Sequence, residues 1–228
     1  MEQLSEWEEF YKKEMDKGNL TNINISYPDV MKLLLDLTTP ESKCIEVGCG
    51  SGSYTVELLS ENRDCIGLDQ SKYSCEMTKK KAKLMYGIDN AKTVVSDIYK
   101  MPFEDNTFDL IFSDGVLEHL DIQKAMKEIK RIMKPGGHFV AKLPIDIFEY
   151  KVLYKLMHLH TFHADELLET PKFWKELFEM TGIKDIKFKK CGSTNLSLVR
   201  RIFKTKKYDK YVPHFFRPYG LFWGEIKK

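Results

Sequence analysis

The run CIEVGCGSGSYT, Cys44 to Thr55, sets three glycines at alternate positions behind a short apolar segment that contains an acid, Glu46. Apolar residues followed by a glycine cluster read as a strand entering a tight turn. A strand, a glycine turn and a helix are the nucleotide-binding corner of a doubly wound sheet, because glycine lets backbone N–H groups approach a ligand. The rest of the chain fits that corner. After a helix from about Tyr54 to Ser60 come strand DCIGLD, a helix from about Ser71 to Tyr86, and strands AKTVVSD and FDLIFSD. A helix from about Asp121 to Met133, the turn KPGG and strand HFVAKLP follow. Strands alternating with helices imply right-handed crossovers and a mostly parallel sheet.

The flanks are less regular. Trp7, Phe10, Tyr11 and Met15 recur at helical spacing, which predicts an amphipathic helix over residues 4 to 17 ending near Gly18. A second helix starts after Pro28 and turns Val30, Leu33, Leu34 and Leu37 inward. Beyond Pro144 the pattern gives helices near 148–157 and 171–180, the latter capped by Gly182, then strands IKDIKFKK and LFWGEIK as an antiparallel edge pair. Residues 192 to 218 read as an insertion.

The ligand of the turn is narrowed by charge and spacing. Gly48, Gly50 and Gly52 follow G-x-G-x-G around Cys49, whereas the dinucleotide fingerprint puts its third glycine one place later. A pyrophosphate beside Glu46 would meet a like charge, while a ligand bearing an ammonium and a sulfonium would meet an opposite one. Asp69, followed by Gln70, ends the second strand where an acid can accept both ribose hydroxyls. Glu46 and Asp69 are assigned to ligand binding because a structural carboxylate at a strand end would lack a partner. Asp97 either accepts from an adenine amino group, with Ile98 covering the ring, or caps the turn before Met101 and Pro102. Ser113, Asp114 and Gly115 end the fourth strand and offer backbone groups to an amino-acid moiety. Gly52 is explained as well by close helix packing as by a ligand.

Taken in order, EVGCGSG, GLDQS, SDIYKMPFEDNTFDLIFSDGVLEHL and EIKRIMKPGGHFV resemble the successive motifs of the class I S-adenosylmethionine-dependent methyltransferases of small-molecule type, over about Lys43 to Leu143. That resemblance implies a Rossmann-like α/β fold, a doubly wound, mostly parallel seven-stranded sheet with an antiparallel edge strand. It implies S-adenosyl-L-methionine as cofactor, held by Glu46, Gly48, Gly50, Asp69, Asp97, Ile98 and Ser113. One methyltransferase domain is expected, with an N-terminal helical lid (1–40), a cofactor core (41–144) and acceptor-side elements (145–228). Related enzymes often carry Glu-His where Glu118 and His119 stand, close to the sulfonium; the pair is either a general base for an acceptor that loses a proton, or packing and a helix cap.

Composition limits the alternatives. The start MEQLSEWEEF is acidic where a secretory signal is basic, and VMKLLLDL is broken by charge, so no membrane partner is expected. Five cysteines without a CxxC pair indicate neither a disulfide framework nor a zinc ribbon and suit a reducing cytoplasm. His158, His160 and His163 form H-x-H-x-x-H, read as lid packing, acceptor recognition or, least of these, a metal site; no metal is assigned. Ten Lys and Arg against Asp185 and Asp209 over residues 184–210, with Tyr208, Tyr211, Phe215 and Phe216 in or beside them, keep RNA and peptide acceptors open beside a small molecule. The segment after the fourth strand is Ser-Asp-Gly-Val rather than Asn-Pro-Pro-Tyr, which disfavours adenine or glutamine amide nitrogen as acceptor. No cysteine lies between Cys75 and Cys191, which excludes a cytosine-C5 nucleophile. A nicotinamide-dependent reductase and a non-catalytic cofactor-binding regulator are the remaining rivals.

Overall fold

The computed structural model describes residues 2–18, 28–146, 169–191 and 219–226. Seven strands form one sheet in the order β3-β2-β1-β4-β5-β7-β6. They are β1 (Lys43–Val47), β2 (Asp64–Asp69), β3 (Lys92–Val95), β4 (Phe108–Asp114), β5 (Met133–Pro144), β6 (Ile183–Cys191) and β7 (Tyr219–Ile226). The first five run parallel, and β7 is antiparallel to both β5 and β6, which form the far edge with it. The doubly wound, mostly parallel sheet expected from the alternation is therefore present.

Helices cover both faces, and the strands divide their side chains accordingly. On one face α2 (Pro28–Asp36) and α3 (Ser53–Ser60) pack Val30, Leu34, Tyr54 and Leu58 onto Cys44, Leu110, Phe112, Val140 and Leu221. The same face carries α4 (Lys72–Tyr86), whose Ala82 meets Val56 of α3. On the other face α5 (Ile122–Ile132) and α6 (Pro171–Met180) pack Ala125, Met126, Ile129, Trp174 and Phe178 onto Ile45, Val47, Ile111, Phe139 and Phe222. Alternate residues of β1, Cys44 and Ile45, thus face opposite cores. The N-terminal helix α1 (Glu2–Asp16) lies against α4.

Local chemistry sets the helix ends. Asp121 starts α5 by accepting from the Lys124 N–H at 3.3 Å, Ser71 starts α4 by accepting from Ser74, and Gly87 ends α4 at φ 67°. In α5 the buried Ala125, Met126, Ile129 and Ile132 recur at helical spacing, which leaves Lys124, Lys127 and Arg131 toward solvent or polar partners.

Two expectations shift. KPGG is not a turn between helix and strand but part of β5: the pairing with β4 jumps from Phe108↔Met133 to Leu110↔His138, so Lys134 to Gly137 form a bulge. A Cβ on Gly137 would stand 2.9 Å from the Lys134 carbonyl, so the bulge closes only around glycine. The last strand begins at Tyr219, two residues before the apolar run suggests. The helix expected over 148–157, the three histidines and the insertion 192–218 lie outside the described residues.

Ile129 is fully buried at the centre of the α5 face. Ile129→Ala is expected to lower unfolding free energy by about 2–5 kcal/mol, read as a lower urea midpoint with an unchanged slope.

Candidate functional site

The glycine turn is a tightly tied piece of backbone. The Gly48 and Cys49 N–H groups both donate to the Leu68 carbonyl of β2, at 2.7 and 2.9 Å. The Gly50 N–H donates to Asp69 Oδ2 at 2.9 Å, and the Ser71 N–H donates to Asp69 Oδ1 at the same distance. From α4, Ser74 Oγ and Thr78 Oγ1 donate to the Gly50 carbonyl at 2.6 and 3.3 Å. Gly48 has φ 74°, and a Cβ there would fall 2.4 Å from Val116 Cγ2. Gly52, also at positive φ, would drive a Cβ to within 2.4 Å of Thr78, so its role in helix packing is explicit.

The two carboxylates assigned to ligand binding do have partners, contrary to the argument that a structural acid at a strand end would lack one. Glu46, 3% exposed, turns toward α3 and accepts from the Thr55 N–H at 2.8 Å and the Thr55 hydroxyl at 2.5 Å. Burial pushes its carboxyl up to about 8, while the Thr55 bonds pull it down and the Asp114 charge adds to the rise. Asp69 is raised by burial as well, against the Ser71 and Gly50 N–H bonds that favour its anion. Since Glu46 and Gly67 pair across β1–β2, and Glu46 and Phe112 across β1–β4, Asp69 and Asp114 stand two residues further on the same face.

A residue not singled out as a ligand group joins these acids. Tyr11 of α1 is 8% exposed, and its phenol is held well above its ordinary range by burial and then by the charges of Asp69, Cys49, Glu46 and Asp114. Its ring stacks on Trp7, and Trp7 in turn meets the edge of His119 with centroids 6.2 Å apart. The N-terminal helix therefore reaches the carboxylates and the Glu118–His119 segment at once. Spacing alone showed Tyr11 as one of an apolar stripe.

At the other strand ends the assignments divide. Asp97 is exposed and accepts from the Tyr99 N–H at 2.8 Å, capping the short 3-10 helix Ile98–Lys100, so the turn-capping alternative is realised; Ile98 is buried and Gln70 exposed. Ser113 is buried and donates to the Val47 carbonyl at 3.0 Å. Asp114 Oδ1 lies 2.5 Å from Nζ of Lys142, a buried residue of β5 whose ammonium sits 4.4 Å above the Tyr219 ring. The Gly115 N–H donates to the Lys142 carbonyl at 3.0 Å. Sequence reasoning missed Lys142, although a lysine inside HFVAKLP was its signal, because buried lysines are rare without a partner. Glu118 and His119 lie in a second 3-10 helix, Leu117–His119; Glu118 is buried, His119 half-buried, and the cap of α5 is Asp121 rather than Glu118.

Among the described residues the rim of the sheet thus presents a backbone turn, three acids on one face and a buried phenol within reach of their charge. Such a corner suits a ligand that carries positive charge and hydroxyl groups. No cluster of metal-ligating side chains occurs among the described residues, and no described helix is long and apolar enough to cross a membrane.

Comparison with known proteins gives the central part of the chain a family likeness. The methyltransferase domain family matches residues 45–141. A sterol 4-C-methyltransferase of Caenorhabditis elegans is 33% identical over 120 residues, which cover 50% of this chain and 36% of that protein. A demethylmenaquinone methyltransferase of Staphylococcus haemolyticus is 30% identical over 172 residues, 65% of this chain and 71% of that one. The chain thus spans little more than a third of the sterol enzyme. Among solved structures, geranyl diphosphate C-methyltransferase from Streptomyces coelicolor, crystallised with S-adenosyl-L-homocysteine, superposes with a TM-score of 0.62 at 13% identity, covering 86% of this chain and 79% of that one.

The raised carboxyl of Glu46 has a pH signature. Between its ordinary 4.5 and about 8 the folded protein keeps a proton that the unfolded chain releases, so this group makes stability fall as pH rises through that window. Glu46→Gln keeps an acceptor for Thr55 and removes the titration, so denaturation series at both ends of the window are expected to show a shallower decline than the wild type.

Proposed function

The chain belongs to the methyltransferase domain family, and from that premise we propose that it transfers a methyl group from S-adenosyl-L-methionine to an oxygen, nitrogen or carbon of a small molecule. The observation that carries this reading is the convergence of Glu46, Asp69 and Asp114 on one face beside the glycine turn. A pyrophosphate would meet the Asp69 and Asp114 carboxylates and find no cation among the described residues to offset it beside them but the Lys142 already paired with Asp114, whereas a ligand with an ammonium, a sulfonium and ribose hydroxyls meets complementary groups and favours the ionised form of Glu46. Gly48, where a Cβ would strike the Val116 side chain, keeps the main chain of that turn in a course only glycine can follow.

When bound, the donor supplies an electrophilic methyl on a sulfonium whose thioether leaves without needing a proton. The protein's share is alignment and exclusion of water. Asp69 holds the turn through Gly50 and Ser71 and accepts ribose hydroxyls; Ile98 covers the adenine; Glu46, Asp114 and the backbone at Ser113 and Gly115 take the amino-acid end. Helix α1 acts as the lid through Tyr11 and Trp7. An acceptor that loses a proton has Glu118 and His119 at hand.

The relatives' sterol and demethylmenaquinone acceptors favour an apolar ring compound as the acceptor class. A second reading, RNA, draws on Lys184, Lys187, Lys189 and Lys190, all exposed on the edge strand β6. Their contribution would appear as steep salt dependence of RNA binding.

Calorimetric titration with S-adenosyl-L-methionine and S-adenosyl-L-homocysteine tests the core of the proposal. We expect saturable binding of both, no binding of NAD, and a loss of at least about tenfold, 1.4 kcal/mol, in Asp69→Asn and after deletion of residues 1–20. Absence of binding to the wild type would sink the donor assignment, and unchanged affinity after the deletion would remove the lid.

A further inference from the structure

Lys142 is a charged residue where the fold asks for an apolar one. Along β5, Phe139 and Ala141 enter one core and Val140 the other, so Lys142 falls on the face of Val140, beside Asp114 of β4 and Leu221 of β7. The lysine side chain is 6% exposed and that of Asp114 21%. The ammonium lies 2.5 Å from Asp114 Oδ1 and 4.4 Å from the centre of the Tyr219 ring, whose face is electron-rich. The Lys142 main chain reaches the same segment, because its carbonyl accepts from the Gly115 N–H at 3.0 Å. Among the described residues the second carboxylate oxygen of Asp114, Oδ2, takes no hydrogen bond or ion pair.

Stability does not account for this pair. Two charges taken out of water lose their hydration, and apolar residues of similar volume in the place of a buried ion pair are often neutral or stabilising. Its position is more telling. The pair stands at the carboxyl ends of β4 and β5, the edge at which open α/β sheets bind their ligands. One residue past Gly115 the chain meets the glycine turn, since a Cβ on Gly48 would fall 2.4 Å from Val116 Cγ2. What Lys142 holds, at Asp114 by its side chain and at Gly115 by its main chain, is therefore the segment that borders the turn.

We propose that Lys142 is a positioning residue of the donor site: by taking Oδ1 it fixes the Asp114 carboxylate and leaves Oδ2 to accept from the ammonium of the donor's amino-acid end. This role rests on the proposed function. The division of labour follows exposure, the lysine being the buried anchor and the aspartate the group that meets the ligand. The Tyr219 ring gives the Lys142 ammonium a second attractive contact, which keeps it on Oδ1 when a cationic ligand arrives. Lys142 thus acts through Asp114, whose orientation is set before binding rather than at its expense.

The test is calorimetric titration of the full chain with S-adenosyl-L-homocysteine and with 5′-methylthioadenosine, which shares the adenosine and lacks the amino-acid end. Lys142→Met keeps an unbranched side chain and removes the ammonium. It is expected to lower S-adenosyl-L-homocysteine affinity at least about tenfold and to leave 5′-methylthioadenosine within about threefold of the wild type. A merely structural role would weaken both ligands alike; that result, or no loss for either, would overturn the proposal. Asp114→Asn is expected to show the same selective loss, and adding Lys142→Met to it to cost less than about threefold more. This second comparison leaves no unpaired buried charge, so it decides the matter even where Lys142→Met alone does not fold. A further loss in the double variant would mean that the lysine acts other than through Asp114 and would overturn its role as a positioning residue. If the wild type binds neither ligand, the donor assignment fails and this role with it, whereas wild-type binding of both with unselective losses in the variants overturns the role of Lys142 alone.

Discussion

Asp69 joins three parts of the structure that would otherwise meet only by chance. One carboxylate oxygen takes the Gly50 N–H of the turn and the other takes the Ser71 N–H at the head of α4, while the residue itself closes β2. Two hydrogen bonds to an anion in a buried place are each stronger than an ordinary amide bond, and leaving either donor unpaired there would cost its desolvation. The turn, the strand end and the helix start are thus fixed relative to one another before any ligand arrives. Everything else at the rim, from the Leu68 carbonyl under Gly48 and Cys49 to the α4 hydroxyls on Gly50, elaborates that frame.

The same arrangement explains why the rim is electrostatically expensive. Glu46, Asp69 and Asp114 lie on one face of a parallel sheet, close enough that Asp114 contributes to the raised carboxyl of Glu46. Each is compensated locally: Glu46 by both donors of Thr55, Asp69 by two backbone groups, Asp114 by the Lys142 ammonium. The phenol of Tyr11 enters this field with no positive charge of its own. Acids gathered on one face at this cost, with carboxyls raised by burial, are a common mark of a ligand site.

How much of this could be read in advance depends on the range of the interaction involved. The bounds of β1, β2 and β4 were legible because central parallel strands are buried on both faces and read as short, mostly apolar runs between polar residues. Helix ends were legible at Ser71, Asp121 and Tyr86, where the structure shows a local hydrogen bond or, at the following Gly87, a positive φ. The bulge at Lys134–Gly137 was not, since Pro-Gly-Gly is the same in a turn and in a strand that bends, and only the β4 partner distinguishes them. The Glu46–Thr55 bond, the Lys142–Asp114 pair and the place of Tyr11 are tertiary, and no spacing rule encodes them. So the fold came through the sequence, whereas the partners of the charged groups at the candidate site required the packed chain.

The position of β7 adds a consequence for how this sheet is assembled. It fills the slot between β5 and β6, pairing Tyr219 with Pro144 and Gly224 with Phe139. Its partner strand is therefore made long before it, and the entropy of closing so long a loop must be met before the pairing gives anything back. Until then β5 presents an open edge bearing Phe139, Val140 and Ala141, all fully buried once the sheet is complete. An unpaired apolar edge is a template for pairing with another chain. The order of strands along the polypeptide, rather than any weakness in the finished core, makes this the interval in which the protein is most exposed to aggregation, and β7 the element that ends it.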